Sequence, residues 1–286
     1  MATGTNIRTY FEGQWHEGDV PIMRAADHGA WVGSTVFDGA RYAHGVAPDL
    51  MAHCERVNRS ARALMLEPTH SAQEIHDITW QGIALYDADT PLYIRPMYWG
   101  LDGDATAVVP KSDTVGFCIC LEQIPLAPPD RTARLTTTQF RRPVLADNVT
   151  NAKAGCLYPN NARMLAEARA KGYDNALVAD AMGNVAETAT ANIFMVKDGI
   201  VRTPVPNGTF LSGITRARHI VNLRAAGHDV REEVLSFDDF RSADEVFMSG
   251  NMSKVTPVVE FDGTHYQVGP IARAARDLYW AWAKGG

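Results

Sequence analysis

The chain has 286 residues, of which 46% are hydrophobic and 21% charged, and its formal net charge is -6. This composition excludes a disordered chain, and the interspersed acids and bases exclude the concentrated basic face that nucleic-acid binding requires. At about 150 residues per domain, the length is consistent with one large or two smaller domains, and we expect two.

The composition also bounds where the protein works. No basic segment leads into an apolar run near Met1, and no later run reaches about 18 apolar residues. We therefore expect a cytoplasmic protein without a membrane helix. The four cysteines show no metal-ligand spacing. We expect no metal site and interpret the cysteines as reduced core residues: Cys54, Cys118, Cys120 and Cys156. For Cys156, which is close to Lys153, partial exposure is the alternative to a small buried hydrophobe.

The first half of the chain predicts a sheet covered by two helices. Alternating patterns and turn residues predict strands or hairpins at residues 10–15, 36–42, 91–97 and 114–121. Apolar residues at helical spacing predict a helix over residues 50–66, and Ser71 can cap a second helix that runs through Tyr86.

A proline-rich segment at residues 124–130 then breaks regular structure. We therefore predict a smaller N-terminal α/β domain at residues 1–122, an interdomain linker at 123–133 and a larger C-terminal domain at 134–286.

Sequence patterns in the second domain predict a mixture of strands and helices. The predicted elements are a strand near Leu135, a helix over 159–171, hairpins turning at 182–184 and 197–199, a helix after Gly213, and a helix over 270–284.

A lysine stands among small residues just before the first helix of this domain. Lys153 lies between Ala152 and Ala154, with Gly155 next. Most lysines are solvated surface residues. Small neighbours, however, let a bulky cofactor approach the backbone, and desolvation there would favour the neutral amine that forms a Schiff base.

An acid follows in an apolar strand pattern. Glu187 lies within residues 185–194, which are otherwise mostly apolar. Such an acid either faces solvent or pairs with a specific group. A carboxylate beside the nitrogen of a pyridine ring would keep that ring protonated, and a protonated ring is an electron sink.

Three further segments offer donors for a phosphate. Residues 210–216 open a helix with free backbone N–H groups, although an ordinary capped helix has the same pattern. Arg56 could bind phosphate bidentately or belong to a salt-bridged helix surface. The turn at residues 248–252 supplies more N–H donors. In this order, the segments indicate a site for pyridoxal 5'-phosphate (PLP).

Together these residues resemble the fold type IV PLP-dependent aminotransferases, the class IV aminotransferase family. That group includes branched-chain aminotransferases, D-amino acid aminotransferases, (R)-selective amine transaminases and aminodeoxychorismate lyase. The matching blocks cover nearly the whole chain and lie at residues 36–41, 53–61, 93–96, 151–158, 187–194, 211–216 and 243–250.

The resemblance implies a mixed α and β (α+β) fold of two domains, D-amino acid aminotransferase-like, with the cofactor between them. It implies that Lys153 is the Schiff-base lysine and proton shuttle and that Glu187 contacts the pyridine nitrogen. The other implied cofactor residues are Arg56, Tyr158, Leu211, Gly213, Ile214, Thr215 and Asn251. A homodimer with active sites near the interface is also implied.

The substrate residues resemble the branched-chain subgroup most. They are Val32, Phe37, Arg41, Tyr93, Arg95 and Met252. Three features depart from that subgroup: Val32 replaces a tyrosine, Asn251 replaces a threonine, and residues 100–105 lack a glycine-methionine-glycine turn.

We therefore expect a ping-pong transaminase that moves an amino group from a branched-chain or other hydrophobic amino acid to a 2-oxo acid. An (R)-selective amine transaminase using pyruvate or 2-oxoglutarate is the main alternative. A D-amino acid aminotransferase, an aminodeoxychorismate lyase and a non-catalytic protein that keeps the fold are further alternatives.

Overall fold

A computed structural model of the chain describes residues 4–285. They form two compact units, which we describe separately. The first extends to Leu126 and includes Asn151–Leu157, and the second comprises Ala127–Thr150 and the residues from Tyr158 onwards. The domain bounds at residues 122 and 134 stay a prediction. Sequence patterns did not indicate that residues 151–157, which include Lys153, belong to the first unit.

The first unit is an antiparallel sheet with helices packed on it. Its strands are β1 (Thr5–Phe11), β2 (Gln14–Glu17), β3 (Thr35–Phe37), β4 (Ala40–Tyr42), β5 (Leu92–Gly100) and β6 (Val115–Gln123). Its helices are α1 (His28–Trp31), α2 (Leu50–Ala63) and α3 (Ala72–Ile83). The strand order is β2-β1-β6-β5-β3, with β4 also paired to β5. Helices α2 and α3 pack against this sheet, which confirms the prediction.

Local signals explain most boundaries in this unit. The hairpin between β1 and β2 turns at Glu12 and Gly13 as predicted. Ser71 caps α3 in a capping box with Glu74. Helix α2 ends at Ala63, earlier than predicted, because Met65 adopts a left-handed φ of 60° that an α-helix does not accommodate.

The second unit is built on a mixed sheet. Its strands are β7 (Ala133–Arg141), β8 (Asn175–Ala179), β9 (Val185–Thr188), β10 (Asn192–Lys197), β11 (Ile200–Pro204), β12 (Val230–Glu233), β13 (Glu245–Gly250), β14 (Lys254–Phe261) and β15 (Thr264–His265). Its helices are α4 (Tyr158–Ala170), α5 (Ile214–Ala225), α6 (Phe237–Arg241) and α7 (Pro270–Ala283). The predicted helices and hairpins of this half are confirmed, whereas α6 and β12 to β15 were not predicted.

The strand order of this sheet positions the candidate site. The order is β12-β11-β10-β13-β14-β7-β8-β9, with β15 paired to β14. The sheet is curled, so that β9, at one end of this order, lies close to β10. In the turn that joins β9 to β10, the Thr188 N–H donates to the Ala191 carbonyl. Helices α5 and α7 pack on β13, and α4 packs on β7 and β8. The mixed α and β fold class is therefore confirmed.

The cysteines only partly follow the prediction. Cys54, Cys118 and Cys120 are buried, but Cys156 is exposed, so its assignment to the core was wrong. Cys156 lies in a single 3-10 turn, Gly155–Leu157, in which no residue is buried. No helix within residues 4–285 has the length and apolarity to cross a membrane.

Candidate active site

The backbone of Lys153 is held from both sides within the first unit. Its N–H donates to Ser60 Oγ at 3.0 Å, and its carbonyl accepts from the Phe37 N–H at 3.0 Å. The next residue, Ala154, forms a bridge with Val36 of β3. Because Ser60 is fully buried in α2, the position of Lys153 is set by a helix and a strand together.

A close approach of backbone to strand explains the glycine that follows. A Cβ added to Gly155 would lie 2.2 Å from Thr35 Oγ1, so a larger residue would push this segment away from β3. The Lys153 ammonium group then lies 4.9 Å from the centroid of the Phe37 ring. The predicted reactive lysine and one predicted substrate residue are thus in contact.

The predicted substrate residues of the strands share one face of the sheet in the first unit. Phe37 pairs with Met97, and Arg41 pairs with Tyr93, so their side chains point the same way as alternate residues of β5, including Arg95. Tyr93 lies against Gly39, where an added Cβ would meet its hydroxyl at 2.3 Å.

Arg41 differs from the other residues of this face. It is fully buried and donates from Nη2 to the Ile124 carbonyl at 2.8 Å. Burial lowers the pKa of Arg41 to about 10.

Arg56 forms a buried ion pair, not a solvated helix surface. Its Nε and Nη2 donate to the two oxygens of Asp38 at 2.6 and 2.7 Å, and His53 Nδ1 lies 2.7 Å from Asp38 Oδ1. Burial raises the pKa of Asp38, but the charges and hydrogen bonds of Arg56 and His53 outweigh it and hold that pKa well below its usual range. The guanidinium orientation is therefore set by Asp38.

In the second unit, Glu187 is a buried carboxylate with donors on both oxygens. Only 9% of the residue is exposed. Arg142 Nη2 lies 3.2 Å from Oε1, and Asn192 Nδ2 donates to Oε2 at 3.2 Å. Of the two readings of Glu187, the solvent-facing one is therefore excluded.

Arg142 is a residue of this site that sequence reasoning missed. It is 7% exposed and donates to the carbonyls of Thr188 and Ala189 at 2.7 and 3.0 Å, while Nη1 donates to Asn161. It follows β7 in a segment with no motif of its own, so no sequence signal indicated it.

Asn192 is the second residue of this site that sequence reasoning missed, although the matching block at residues 187–194 contains it. Its side chain also donates weakly to the Leu211 carbonyl at 3.4 Å. A Cβ added to Gly213, the N-cap of α5, would lie 2.0 Å from Asn192 Oδ1. The glycine therefore lets the start of α5 approach the carboxylate of Glu187.

The first turn of α5 brings together the predicted phosphate residues of this unit. Ile214 and Thr215 are its first two residues, so their N–H groups lie among those without partners inside the helix. Such an end favours a bound anion.

Asn251 lies beyond the end of β13, and Ser249 of that strand pairs with Asn192. The buried Nζ of Lys254 donates to Asn251 Oδ1 at 2.5 Å. Asn251 Nδ2 is buried and has no hydrogen-bond partner among the described residues.

The remaining predicted residues are more exposed. Tyr158 begins α4 and is 38% exposed, Val32 is the C-cap of α1, and Met252 follows Asn251 in the turn.

The described residues fit a phosphorylated pyridine cofactor. The buried Asn251 amide offers an unsatisfied donor, and the lack of a Cβ at Gly213 lets the start of α5 approach Asn192, which donates to the buried Glu187 carboxylate. Such a donor set suits a phosphate together with a protonated ring.

A mixed α and β fold with this lysine, carboxylate and helix start defines a fold type IV aminotransferase. The family model described as "Amino-transferase class IV" matches residues 35–261. The chain therefore belongs to the class IV aminotransferase family. The branched-chain-amino-acid aminotransferase of Salmonella typhimurium is 30% identical over 304 residues, which cover 100% of this chain and 96% of that protein.

Solved structures agree with this assignment. An aminotransferase from Brucella abortus bound to PLP is 55% identical, with a TM-score of 0.96, and covers 97% of this chain and 99% of its own. A branched-chain aminotransferase from Thermoproteus uzoniensis with norvaline is 27% identical, with a TM-score of 0.89 and coverage of 97% and 95%.

Proposed function

We propose that this protein is a PLP-dependent transaminase that moves the amino group of a branched-chain or other hydrophobic L-amino acid to a 2-oxo acid. The observation that carries the proposal is the buried Glu187 carboxylate, held by Arg142 and Asn192 beside the start of α5. A buried carboxylate paired with an arginine is suited to balance a protonated ring nitrogen. The family relationship and the relatives with branched-chain activity support the same reaction.

Each residue has a definite task in this proposal. PLP, when bound, withdraws electrons from the donor carbon and accepts the amino group. Lys153 would hold the cofactor covalently through Nζ and would move a proton from the donor carbon. Glu187 would balance the positive charge at the ring nitrogen, and Tyr158 would form a hydrogen bond with the cofactor hydroxyl.

The phosphate needs several donors. The N–H groups of Ile214 and Thr215, the amide of Asn251 and the guanidinium of Arg56 would supply them, and Leu211 would support the ring. Because Arg56 is fixed by Asp38, it is preorganised to meet an anion in one orientation.

A substrate panel tests the proposal. We expect purified holoenzyme to transfer amino groups from L-leucine, L-isoleucine or L-valine, at rates above those from D-amino acids or from either enantiomer of an arylalkyl amine. Pyruvate and 2-oxoglutarate are the acceptors. Product release without any acceptor would indicate a lyase, and no product with any donor would contradict the proposal.

A lysine variant tests the central residue. Lys153→Ala should lower kcat by at least about 100-fold, because it removes both the covalent attachment and the proton carrier. The exposed Lys111→Ala is the control. Borohydride reduction followed by peptide mapping should place the pyridoxyl group on Lys153 in the wild type.

Two features of the chain favour a second activity, that of an (R)-selective amine transaminase. Val32 is smaller than the tyrosine typical of the branched-chain subgroup and is exposed. Together with the altered segment at residues 100–105, it could admit a group other than carboxylate. Preference for one (R)-amine over every amino acid in the panel would establish that alternative.

We also propose a homodimer, as the family resemblance implies, and a location in the cytoplasm, as the sequence composition predicts. Light scattering on the holoenzyme should give twice the chain mass of 31.3 kDa. A monomer that transaminates at full rate would contradict the dimer.

A further inference from the structure

A buried acid lies on the sheet face of the predicted substrate residues in the first unit. In the register of β5 and β6, Arg95 pairs with Cys120 and Tyr93 pairs with Glu122. Paired residues of antiparallel strands point to the same face. Glu122 is therefore on the face that carries Arg95, and it was not among the residues that the sequence analysis selected.

Glu122 and Arg95 form an ion pair across the two strands. Arg95 Nη2 contacts Glu122 Oε1 and lies 3.6 Å from Cys120 Sγ. The other carboxylate oxygen, Oε2, accepts from the Gly4 N–H at 2.9 Å. Burial lowers the pKa of Arg95. The charges of Cys120, Glu122 and Tyr93 raise it by more than burial lowers it, so the pKa of Arg95 lies above its usual value. Arg95 is thus a permanent cation with a fixed counter-charge.

The two partners differ in their access to solvent. The side chain of Glu122 is 0% exposed and that of Arg95 is 27% exposed. A ligand on this face would therefore contact Arg95. Glu122 is buried beneath Arg95, and its side chain cannot become exposed to solvent without disturbing β6.

Arg95 lies on the same sheet face as the aromatic residue that contacts the reactive lysine. Lys153 Nζ contacts the Phe37 ring, and Phe37 pairs with Met97, two residues from Arg95 on the same strand. Alternate residues of a strand are roughly 7 Å apart. The far end of a substrate that reacts at Lys153 would therefore approach Arg95.

We propose that Glu122 sets the acceptor selectivity of this enzyme by neutralising Arg95. An arginine without such a partner on this face would receive the second carboxylate of a dicarboxylic 2-oxo acid bidentately. Here that carboxylate would have to compete with Glu122 or lie beside its negative charge. The enzyme is therefore selective for 2-oxo acids with one carboxylate. This inference rests on the proposed transaminase function.

Acceptor kinetics test the inference. The ratio of kcat/KM for pyruvate to that for 2-oxoglutarate is measured with one amino donor. We expect the wild type to favour pyruvate, and Glu122→Gln to shift the ratio toward 2-oxoglutarate by at least about 10-fold, since a charge-assisted contact becomes available. Adding Arg95→Met to Glu122→Gln should abolish the shift.

A matched control removes an acid elsewhere in the same sheet. The exposed Glu17 of β2 pairs with the partly buried Arg8 of β1, and Glu17→Gln should leave the ratio unchanged. Circular dichroism and the visible absorbance of the holoenzyme verify that each variant is folded and loaded.

A binding measurement separates this inference from the proposed function. Calorimetry on the holoenzyme compares glutarate with butyrate, neither of which reacts. Glu122→Gln should strengthen glutarate binding by about 10-fold and leave butyrate unchanged. Should Glu122→Gln fail to fold, the wild-type acceptor ratio and Arg95→Met remain informative, because a wild type that prefers 2-oxoglutarate overturns the inference.

Two sets of results are therefore distinguishable. Absence of amino transfer with every donor contradicts the proposed function. Transfer with an acceptor ratio and glutarate affinity that Glu122→Gln does not change contradicts the role of Glu122 alone.

Discussion

Arg142 holds both the side chain of Glu187 and the turn that follows it. Its Nη2 lies 3.2 Å from Glu187 Oε1 and within 3.0 Å of the carbonyls of Thr188 and Ala189. A single guanidinium group therefore orients the carboxylate and the backbone that carries it. The carboxylate proposed to keep the cofactor ring protonated therefore depends on a residue outside its own strand.

We predict that Arg142→Gln is strongly destabilising. It leaves the Glu187 carboxylate buried without its cation, so the free energy of unfolding should fall by about 3 kcal/mol. The variant should also retain PLP more weakly, because a carboxylate that gains a proton no longer balances the ring charge. Urea denaturation and the dissociation rate of PLP measure the two effects.

The neighbouring arginine provides the control. Arg141 is exposed and donates to the Asp180 carbonyl. Arg141→Gln should change the free energy of unfolding by less than about 1 kcal/mol. Equal losses in the two variants would show that the ion pair is not responsible.

A second prediction concerns the glycine that begins α5. In Gly213→Ala, the added methyl group would lie 2.0 Å from Asn192 Oδ1 and must displace it. Because Asn192 also donates to Glu187, the displacement should lower kcat by about 100-fold, the loss typical of a misplacement near 1 Å.

Removing the displaced group tests that mechanism. Asn192→Ala added to Gly213→Ala takes away the overlapping oxygen, so the two changes should be coupled by about 1 kcal/mol or more in the free energy of unfolding. Strictly additive losses would contradict the steric explanation.

The third prediction concerns the dependence of stability on pH near Arg56. The folded pKa of Asp38 is well below its usual range. A depressed carboxyl pKa contributes stability above the unfolded value of about 3.9, and this stability is lost as the pH falls below it. Asp38→Asn should cost about 3 to 5 kcal/mol at pH 7, and the gap to wild type should narrow below about pH 4.

Urea denaturation at pH 7, 5, 4 and 3 measures this gap. The exposed Asp113→Asn is the control and should stay close to wild type throughout. A gap that persists unchanged at pH 3 would assign the cost to packing and not to the charge of Asp38.

The fourth prediction concerns a buried histidine of the second unit. His219 Nε2 lies 3.2 Å from the Lys254 carbonyl, and burial lowers the pKa of His219 to about 4. The stability from the neutral ring is complete above about pH 6.5 and is lost as the pH falls toward 4, since the unfolded chain takes up the proton first. The loss from this group is about 3 kcal/mol.

Comparison of variants isolates this contribution. Between pH 7 and 4, His219→Gln should lose less stability than the wild type, whereas the exposed His265→Gln should follow the wild type. Parallel curves for wild type and His219→Gln would rule out His219 as the titrating group.

Sequence patterns predicted the local elements well, because turns, caps and apolar spacing act over a few residues. The hairpin at Glu12, the cap at Ser71 and the start of α5 after Gly213 follow from such signals. Cys156 was misassigned, because burial depends on where a short turn lies in the folded chain and not on residue type alone.

The sequence by itself determined the family, the placement of Lys153 before a helix and of Glu187 in an apolar strand, and hence the PLP chemistry we propose. Only the tertiary structure decided which groups hold these residues: Ser60 the backbone of Lys153, Arg142 the carboxylate of Glu187, and Glu122 the charge of Arg95. These contacts join residues far apart in the chain. Their partners are selected by strand register and by the curl of a sheet, which no local pattern encodes.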